Sequence, residues 1–336
     1  MNTQDAVKRA ELLDQIGQVE EKLSKAIVDR DQTFPIIGVG REVSGEIPAL
    51  SIFTSVQSPH EEVLIRKISE RYAVPEIAQS GFPLDLVSGC RFNLLTAPFG
   101  GRKYRPIPSG APIGCRQQRM TGTVGFFVSD PKNPHHDLFL TCKHIFGSPD
   151  ESVLNRSVYQ PLSDGGIKAI GTIISDPLYS PAASYVDCVV VRASVKLTPH
   201  YISDSNLRPL KMRGRPHSNP QTNQIVKKSG AAGTANGLVV NALKEFFFPY
   251  RMLGGNVSEV RISNSVQVRS SKSAGFNPFA LPGDSGSPVF TDVLRRPIGM
   301  IYAEIAGSSK GQRQFRYIVQ MIEPLLATLG LNLRTF

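Results

Sequence analysis

The stretch that most constrains the fold is the turn at residues 282–290, which reads Pro-Gly-Asp-Ser-Gly-Ser-Pro-Val-Phe. Gly283 lets the backbone turn so that amide N–H groups converge beside the Ser285 hydroxyl, and such donors stabilise an oxyanion. A serine hydroxyl is a weak nucleophile unless a base lies next to it. The turn therefore predicts a fold that brings a base and an acid to Ser285. The alternative is a plain Gly/Ser turn between two strands.

A candidate base, His144, follows the apolar strand predicted at 138–142. The pKa of histidine near neutrality suits it to take a proton from serine and pass it to a leaving amine. Of the six histidines, only His144 ends a strand that we expect to be buried; the alternative is a histidine satisfied in the core. His135 and His136 fall in a predicted hairpin loop without a second set of ligands, so we expect no metal there.

A candidate acid, Asp187, lies in the apolar segment 184–192. A buried carboxylate is costly unless it is hydrogen-bonded or charge-paired, and an imidazole N–H is one such partner. The alternative is an aspartate that caps a turn at a strand edge. Asp164 and Asp176 are typical of ordinary turn residues because a glycine and a proline follow them.

The order His144, Asp187, Ser285 resembles that of the chymotrypsin/trypsin-like serine peptidases. The resemblance implies a mainly β fold of two six-stranded antiparallel barrels, with His and Asp on the first barrel and Ser on the second. It also implies a serine endopeptidase that needs no cofactor. Two positions depart from the family pattern: Ile145 replaces a cysteine and Ser287 replaces a glycine.

Weaker motifs in the same order extend the likeness over residues 35–305. They are most similar to an intracellular branch, the bacterial and plant narrow-leaf-type trypsin-like peptidases. In that branch a Gly-x-Thr-Thr-Gly run is usual where this chain has residues 229–233. The motifs lie at 36–40, 105–107 with 110–114, 122–125, 160–166 and 226–234.

The resemblance also implies roles for residues around the serine. Backbone N–H groups of Gly283 and Ser285 would form the oxyanion hole. The substrate pocket would begin at Phe279, so the acid that selects basic side chains in trypsin is missing there. Glu304 could favour a basic side chain or could simply be exposed. The expected substrate-binding residues are Phe279, Tyr302, Ala303 and Glu304.

Activation is a separate question. Many family members are matured by a cleavage whose new N-terminus pairs with the aspartate before the serine, here Asp284. No processing site is evident, so we expect another route. Our hypothesis is that the N-terminal region or a partner protein gates the site.

Composition places the protein in a broad class. The 29 Gly and 25 Pro are scattered, which is typical of a turn-rich β protein, and 336 residues suffice for one large or two domains. Residues 1–6 lack the apolar core of a signal peptide. The four cysteines lack metal-type spacing, so we expect buried thiols in a reducing, cytoplasmic compartment. A regulatory disulfide involving Cys142 and Cys188 is the alternative.

The net charge of +10 is partly bunched at 102–105 and at 208–215. Such runs can bind nucleic acid, but few aromatic residues accompany them, so we favour solvated basic loops and expect neither a nucleic-acid nor a membrane partner. Two alternatives to the enzyme remain: a catalytically silent binding module with this fold, and a basic nucleic-acid-associated protein.

The chain divides into a helix at 1–32, a small α/β unit at 33–98, a linker at 99–121 and a peptidase domain at 122–336. Barrel one is expected at about 122–205, barrel two at about 220–316 and a terminal helix at 317–330. The first helix has a heptad seam, which either packs on its own domain or joins a homo-oligomer or regulatory partner. The seam residues are Leu12, Ile16, Val19, Leu23 and Ala26.

Overall fold

The computed structural model of the protein is built mainly from strands. It describes residues 3–28, 36–44, 47–57, 60–79, 81–95, 97–98, 103–118, 120–160, 168–181, 183–203, 206–209, 215–271, 278–309 and 312–334. The helices are α1 (Thr3–Val28), α2 (Glu61–Arg71) and α3 (Ile322–Leu329), and short 3₁₀ turns cover Pro75–Ala78 and Lys143–Ile145.

The strands are numbered along the chain. Those of the N-terminal half are β1 (Ile36–Ser44), β2 (Ile47–Thr54), β3 (Leu84–Leu94), β4 (Ala97–Pro98), β5 (Ile107–Ser109), β6 (Pro112–Cys115), β7 (Met120–Thr123), β8 (Phe127–Asp130), β9 (Asn133–Thr141) and β10 (Ser157–Gln160). The remainder are β11 (Lys168–Ser175), β12 (Val189–Ala193), β13 (Leu197–Ser203), β14 (Asn206–Pro209), β15 (Ile225–Gly230), β16 (Gly233–Arg251), β17 (Val257–Ser270), β18 (Pro288–Thr291), β19 (Pro297–Ser309), β20 (Gln312–Met321) and β21 (Asn332–Leu333).

Two antiparallel barrels form the body of the molecule. Barrel two closes through the pairings β15–β16–β17–β20–β19–β18 and back to β15. In barrel one, β6 pairs with β7 and β10, and β8 continues the path of β7 to pair with β9, which leads through β12 and β11 to β10. Counting the consecutive β7 and β8 as one bent strand, each barrel has six strands. The predicted fold class is therefore confirmed.

The N-terminal strands belong to the same sheet as barrel two. β1 pairs with β16, β2 runs parallel to β3, and β3 pairs antiparallel with β19. The region predicted as a small α/β unit thus shares a continuous hydrogen-bonded sheet with the barrel. The strands of that barrel are long enough to hold it, since β16 alone spans 19 residues.

Helix α1 covers this N-terminal sheet. Its seam residues Ile16, Val19 and Leu23 are buried in one cluster with Leu50 and Ile52 of β2. The middle of the seam therefore packs on its own domain, the first of the two alternatives. Among the described residues, no helix has both the length and the apolar character that crossing a membrane requires.

The predicted linker is partly structured. Residues 99–102 and 119 lie outside the described part of the chain, but β5, β6 and β7 fall within or across the range 99–121. Ile107 and Ile113 are fully buried in the main core, which explains why this stretch forms strands despite its Gly and Pro content. Barrel one therefore begins with β6 at Pro112 rather than at 122, and β5 pairs with β13 in a separate small sheet.

The terminal helix is shorter than predicted. Tyr317 lies in β20, where it pairs with Glu304 of β19, and the helix α3 begins only at Ile322. The apolar run before residue 322 suits a strand or a helix by pattern alone, and pairing with β17 and β19 decides for the strand. Gly330 ends the helix with φ of 65°, as a C-terminal glycine should.

Candidate active site

The three predicted catalytic residues meet between the barrels. His144 lies in the 3₁₀ turn after β9, Asp187 lies two residues before β12, and Ser285 lies in the turn before β18. The His144 Nδ1 atom is 2.5 Å from Asp187 Oδ2, and His144 Nε2 is 2.7 Å from Ser285 Oγ. These two hydrogen bonds form one chain from the carboxylate through the imidazole to the hydroxyl.

Asp187 is held as an anion although it is buried. Burial alone would raise the pKa of its carboxyl group, but the charge of His144 and hydrogen bonds from His144 and Tyr250 outweigh burial and lower that pKa. The Tyr250 hydroxyl donates to Asp187 Oδ2 at 2.8 Å, and the backbone N–H of His144 donates to Oδ1 at 3.1 Å. The sequence did not predict this role for Tyr250, because the residue comes shortly after three phenylalanines in the same strand, β16, and no motif sets it apart.

The amides of the serine turn converge on one acceptor. The N–H groups of Gly283 and Ser285 both donate to the carbonyl oxygen of Leu95, at 2.7 and 3.1 Å. Gly283 has φ of +100°, a conformation that side-chain-bearing residues rarely adopt. The donor pair expected for an oxyanion therefore exists, and a backbone carbonyl of the chain itself occupies it.

Contacts from barrel one brace the serine turn. The Thr123 hydroxyl donates to the Gly283 carbonyl at 2.8 Å, and the Thr123 N–H donates to the Ser285 carbonyl at 2.8 Å. Gly286 has φ of +91°, and a Cβ atom there would lie 2.5 Å from the Thr123 carbonyl oxygen. The close approach of the two barrels thus requires glycine directly after the serine.

A buried ion pair joins Lys228 to Asp284, the residue between the two donor amides. The Lys228 amine contacts Asp284 Oδ2, and both side chains are almost wholly buried. Asp284 also accepts backbone N–H donors from Leu281 at 2.8 Å and Ala232 at 3.1 Å. Burial lowers the pKa of the Lys228 amine, and the attraction of Asp284 offsets that only in part. Lys228 therefore pairs the buried Asp284 carboxylate from within the chain.

A second buried ion pair lies beside the histidine. The Lys143 amine is 2.7 Å from Asp176 Oδ1, and both side chains are fully buried. The same amine donates to the carbonyl oxygens of Pro149 and Pro177, each at 3.1 Å. Asp176 is thus not the ordinary turn residue that its proline neighbour suggested; it neutralises the lysine that precedes His144.

The expected side-chain pocket is apolar and filled. Phe279 is fully buried and packs against Tyr317, with ring centroids 5.8 Å apart. The same cluster of buried side chains contains Ile301, Val289 and Leu95. Leu95 is 3% exposed and packs in the cluster of Phe279, where a substrate side chain was expected.

The other predicted pocket residues separate. Tyr302 is buried in the main core against Phe248 rather than in the cluster of Phe279. Ala303 pairs with Leu94 across the β19–β3 ladder. Glu304 is half-buried, and its carboxylate accepts a hydrogen bond of 3.2 Å from the Asn93 side chain on β3. Burial and the charge of Glu304, which is also hydrogen-bonded to the Tyr317 side chain, raise the pKa of Tyr317. The Glu304 carboxylate therefore reaches the Phe279–Tyr317 pair, whereas Tyr302 packs on the other cluster.

The cysteines are free thiols. Cys90, Cys115, Cys142 and Cys188 are all buried and unpaired. Burial raises the pKa of the Cys142 and Cys188 thiols well above the usual range. Ligand-type atoms of Cys142, His144 and Asp187 lie within 4.8 Å of one another, a grouping that the hydrogen bonds of His144 and Asp187 already explain.

Several predicted features fall elsewhere. His135 is exposed on β9, and Arg105 of the first basic run donates to the Gln160 side chain at 2.7 Å and to its carbonyl at 2.8 Å. Arg105 is thus tied to barrel one. Arg102, Lys211, Arg213, Asp164 and the rest of segment 161–167 lie outside the described residues.

Comparisons with known proteins give solved structures only: no protein-family model and no curated protein matches the chain. A Nocardiopsis protease (NAPase) is 16% identical, with a TM-score of 0.45 over 68% of this chain and 99% of that chain. Thermobifida fusca protease A is 20% identical, with a TM-score of 0.44 over 68% of this chain and 99% of that one. A Cellulomonas bogoriensis chymotrypsin is 15% identical, with a TM-score of 0.45 over 69% and 100%.

Proposed function

We propose that this chain is a serine endopeptidase that hydrolyses peptide bonds through an acyl-enzyme. One observation carries the proposal. The hydrogen-bonded series of Asp187, His144 and Ser285 ends beside two backbone amides that donate to the same carbonyl oxygen, that of Leu95. A nucleophile, a base, an orienting acid and an oxyanion site are the parts that acyl transfer requires.

Each residue then has a defined step. His144 Nε2 takes the proton of Ser285 Oγ as the oxygen attacks a peptide carbonyl, and the N–H groups of Gly283 and Ser285 stabilise the oxyanion. His144 returns the proton to the leaving amine. Asp187 keeps the imidazole in the required tautomer and stabilises its charged form. Water then hydrolyses the acyl-enzyme with His144 again acting as the base.

The pocket favours an apolar side chain before the cleaved bond. Phe279 and its neighbours form an apolar cluster, and Leu95 already fits within it. The carboxylate of Glu304 bonds to Asn93 at the side of the cleft. A basic side chain would be desolvated among apolar groups, and the Glu304 carboxylate beside them is already bonded to Asn93 and Tyr317.

We further propose that the N-terminal region regulates the enzyme. The strand β3 lies along β19, and the residue that follows it, Leu95, fills both the oxyanion site and the pocket. An external substrate must displace this segment. A cytoplasmic location fits the four unpaired thiols, since comparable secreted enzymes rely on disulfides.

A fluorophosphonate probe, which labels an activated serine, tests the peptidase. Because the cleft is filled, the test uses Leu95→Asp, in which a charge placed in the apolar pocket should expel the segment. We expect labelling on the peptide that contains Ser285 and no labelling of Leu95→Asp with Ser285→Ala. Labelling that survives the loss of Ser285 would contradict Ser285 as the nucleophile. No labelling of the folded Leu95→Asp chain would leave a silent binding module as the better description.

A further inference from the structure

The segment that ends at Leu95 enters the cleft as an extended strand. Ala303 of β19 pairs with Leu94, Glu304 pairs with Asn93, and the ladder is antiparallel. Adding a strand to an exposed sheet edge is a common way to bind an extended peptide, because backbone hydrogen bonds give affinity and side-chain pockets give selectivity. The described geometry on this side is that of a bound peptide.

The reacting carbonyl is in place as well. Leu95 is almost wholly buried among the pocket side chains, and its carbonyl oxygen accepts both donor amides at 2.7 and 3.1 Å. The second of these amides belongs to Ser285, whose hydroxyl is bonded to His144. The Leu95 carbonyl carbon is therefore presented to the nucleophile, and chemical groups held in this way react as if at very high concentration.

The strands before and after Leu95 differ in length and in pairing. The strand β3 before Leu95 has 11 residues: residues 84–87 pair with β2, and residues 88 and 91–94 pair with β19. The strand β4 after it has two residues, which pair with Thr121 and Met120 of β7. One of the two is Pro98, which has no N–H to donate. The described pairing after the carbonyl is therefore shorter than the pairing before it.

We propose that the protein is its own substrate and cuts the peptide bond after Leu95 within the same chain. The proposal rests on the peptidase function above. Ser285 Oγ bonds to the Leu95 carbonyl carbon and its proton passes to His144. The bond from that carbon to the nitrogen of the next residue breaks, and the nitrogen takes the proton as a free amine. Water then splits the Leu95–Ser285 ester, which leaves a Leu95 carboxylate and restores the hydroxyl.

The two products remain together after the cut. The fragment 1–95 keeps its pairing with barrel two through β1–β16 and β3–β19. We therefore expect the fragments 1–95 and 96–336 to co-elute under native conditions and to separate only in denaturant. The new Leu95 carboxylate stays at the donor amides, because β3 keeps its pairing with β19.

The test is the intact mass of freshly purified protein in denaturant. We expect wild type to convert to fragments 1–95 and 96–336, with a new N-terminus at Thr96, and Ser285→Ala to stay whole. The rate should not depend on protein concentration, and cut wild type should not cut added Ser285→Ala, because the site is supplied within one chain. A cut at another bond, or a cut that persists in Ser285→Ala, would overturn the proposal.

Pocket variants separate this proposal from the peptidase itself. Leu95→Asp should stop self-cleavage, whereas Leu294→Asp, the same change at an exposed leucine, should not. If Leu95→Asp fails to fold, Leu95→Ala should still slow the cut by at least about tenfold, since lost methylene contacts cost that much in an apolar pocket. Wild type that stays whole while Leu95→Asp is labelled at Ser285 would overturn self-cleavage and leave the peptidase standing. Failure of both would overturn both.

Discussion

The two barrels each place a buried lysine–aspartate pair next to their share of the site, but the pairs are built differently. In barrel one the lysine is the centre: Lys143 binds Asp176 and two backbone carbonyls. In barrel two the aspartate is the centre: Asp284 accepts from Lys228 and from two backbone amides.

Each lysine–aspartate pair supports a different part of the proposed chemistry. Lys143 anchors the loops around the 3₁₀ turn that carries His144, and it makes no contact with the hydrogen-bonded series itself in the described structure. Asp284 lies between Gly283 and Ser285, so the contacts that fix its carboxylate also fix the direction of both donor amides. In the proposed mechanism, barrel one thus orients the proton carrier and barrel two orients the oxyanion site.

The largest expected effect is the loss of either reacting group. In the Leu95→Asp background, Ser285→Ala and His144→Ala should each lower kcat for an apolar peptide substrate by on the order of 10⁶. The double variant should lose no more than either single variant, because the two groups act as a unit. Additive losses measured by steady-state kinetics would contradict a shared step across the two barrels.

A smaller loss is expected at the acid of barrel one. Asp187→Asn in the same background should lower kcat by about 10⁴, because the amide favours the wrong imidazole tautomer while the geometry is kept. The measurement is kcat with circular dichroism to check the fold. A loss below tenfold would mean that His144 does not depend on this carboxylate.

The two ion pairs give the sharpest test of the comparison. Lys143→Met and Lys228→Met each leave a buried carboxylate unpaired, so each should lower the free energy of unfolding by about 3–5 kcal/mol. Lys228→Met alone should also misdirect the donor amides. This misdirection should lower kcat by about 10²- to 10³-fold.

The matched control replaces both partners. Lys228→Met with Asp284→Asn should recover part of the unfolding free energy, because no unpaired charge remains, but not the kcat. Equal kcat values in Lys143→Met and Lys228→Met, measured at a temperature where both are folded, would show that the pairs are equivalent.

The smallest expected effect is at Tyr250. Tyr250→Phe removes the hydroxyl that donates to Asp187 at 2.8 Å but leaves His144 in contact with the carboxylate. A hydrogen bond to a charged group contributes about 1.5–3 kcal/mol, so kcat should fall by roughly 10- to 100-fold. An unchanged kcat would show that the two contacts from His144 suffice to hold Asp187.

The candidate catalytic residues could be predicted because each lies in a recognisable local sequence pattern. His144, Asp187 and Ser285 each interrupt or end an apolar run, and glycines mark the serine turn, so short windows point to them. No comparable sequence pattern points to Lys228 as the partner of Asp284 or to Leu95 as the residue in the cleft. Both roles depend on which strand lies opposite. The two consecutive lysines at 227–228 in an alternating strand were the one available signal that a charge must face inward.

The same limit explains the errors in the fold. Residues 317–321 suit a strand or a helix by composition, and only their partners on β17 and β19 decide. The strands at 107–123 were hidden by Gly and Pro, which are tolerated there because the chain turns sharply between short pairings. The strands β1–β3 were expected to form a separate unit. They instead pair with β16 and β19, and such pairings join residues that are far apart in sequence.

The central claim is that Ser285 is a nucleophile activated by His144 and Asp187. The most direct measurement is acid quenching of Leu95→Asp during turnover of a leucine peptide ester, followed by mass spectrometry of the digested chain. The account predicts one acyl adduct, on the peptide that contains Ser285, and none in His144→Ala. Turnover without an adduct at Ser285, or an adduct that persists after Ser285→Ala, would contradict it.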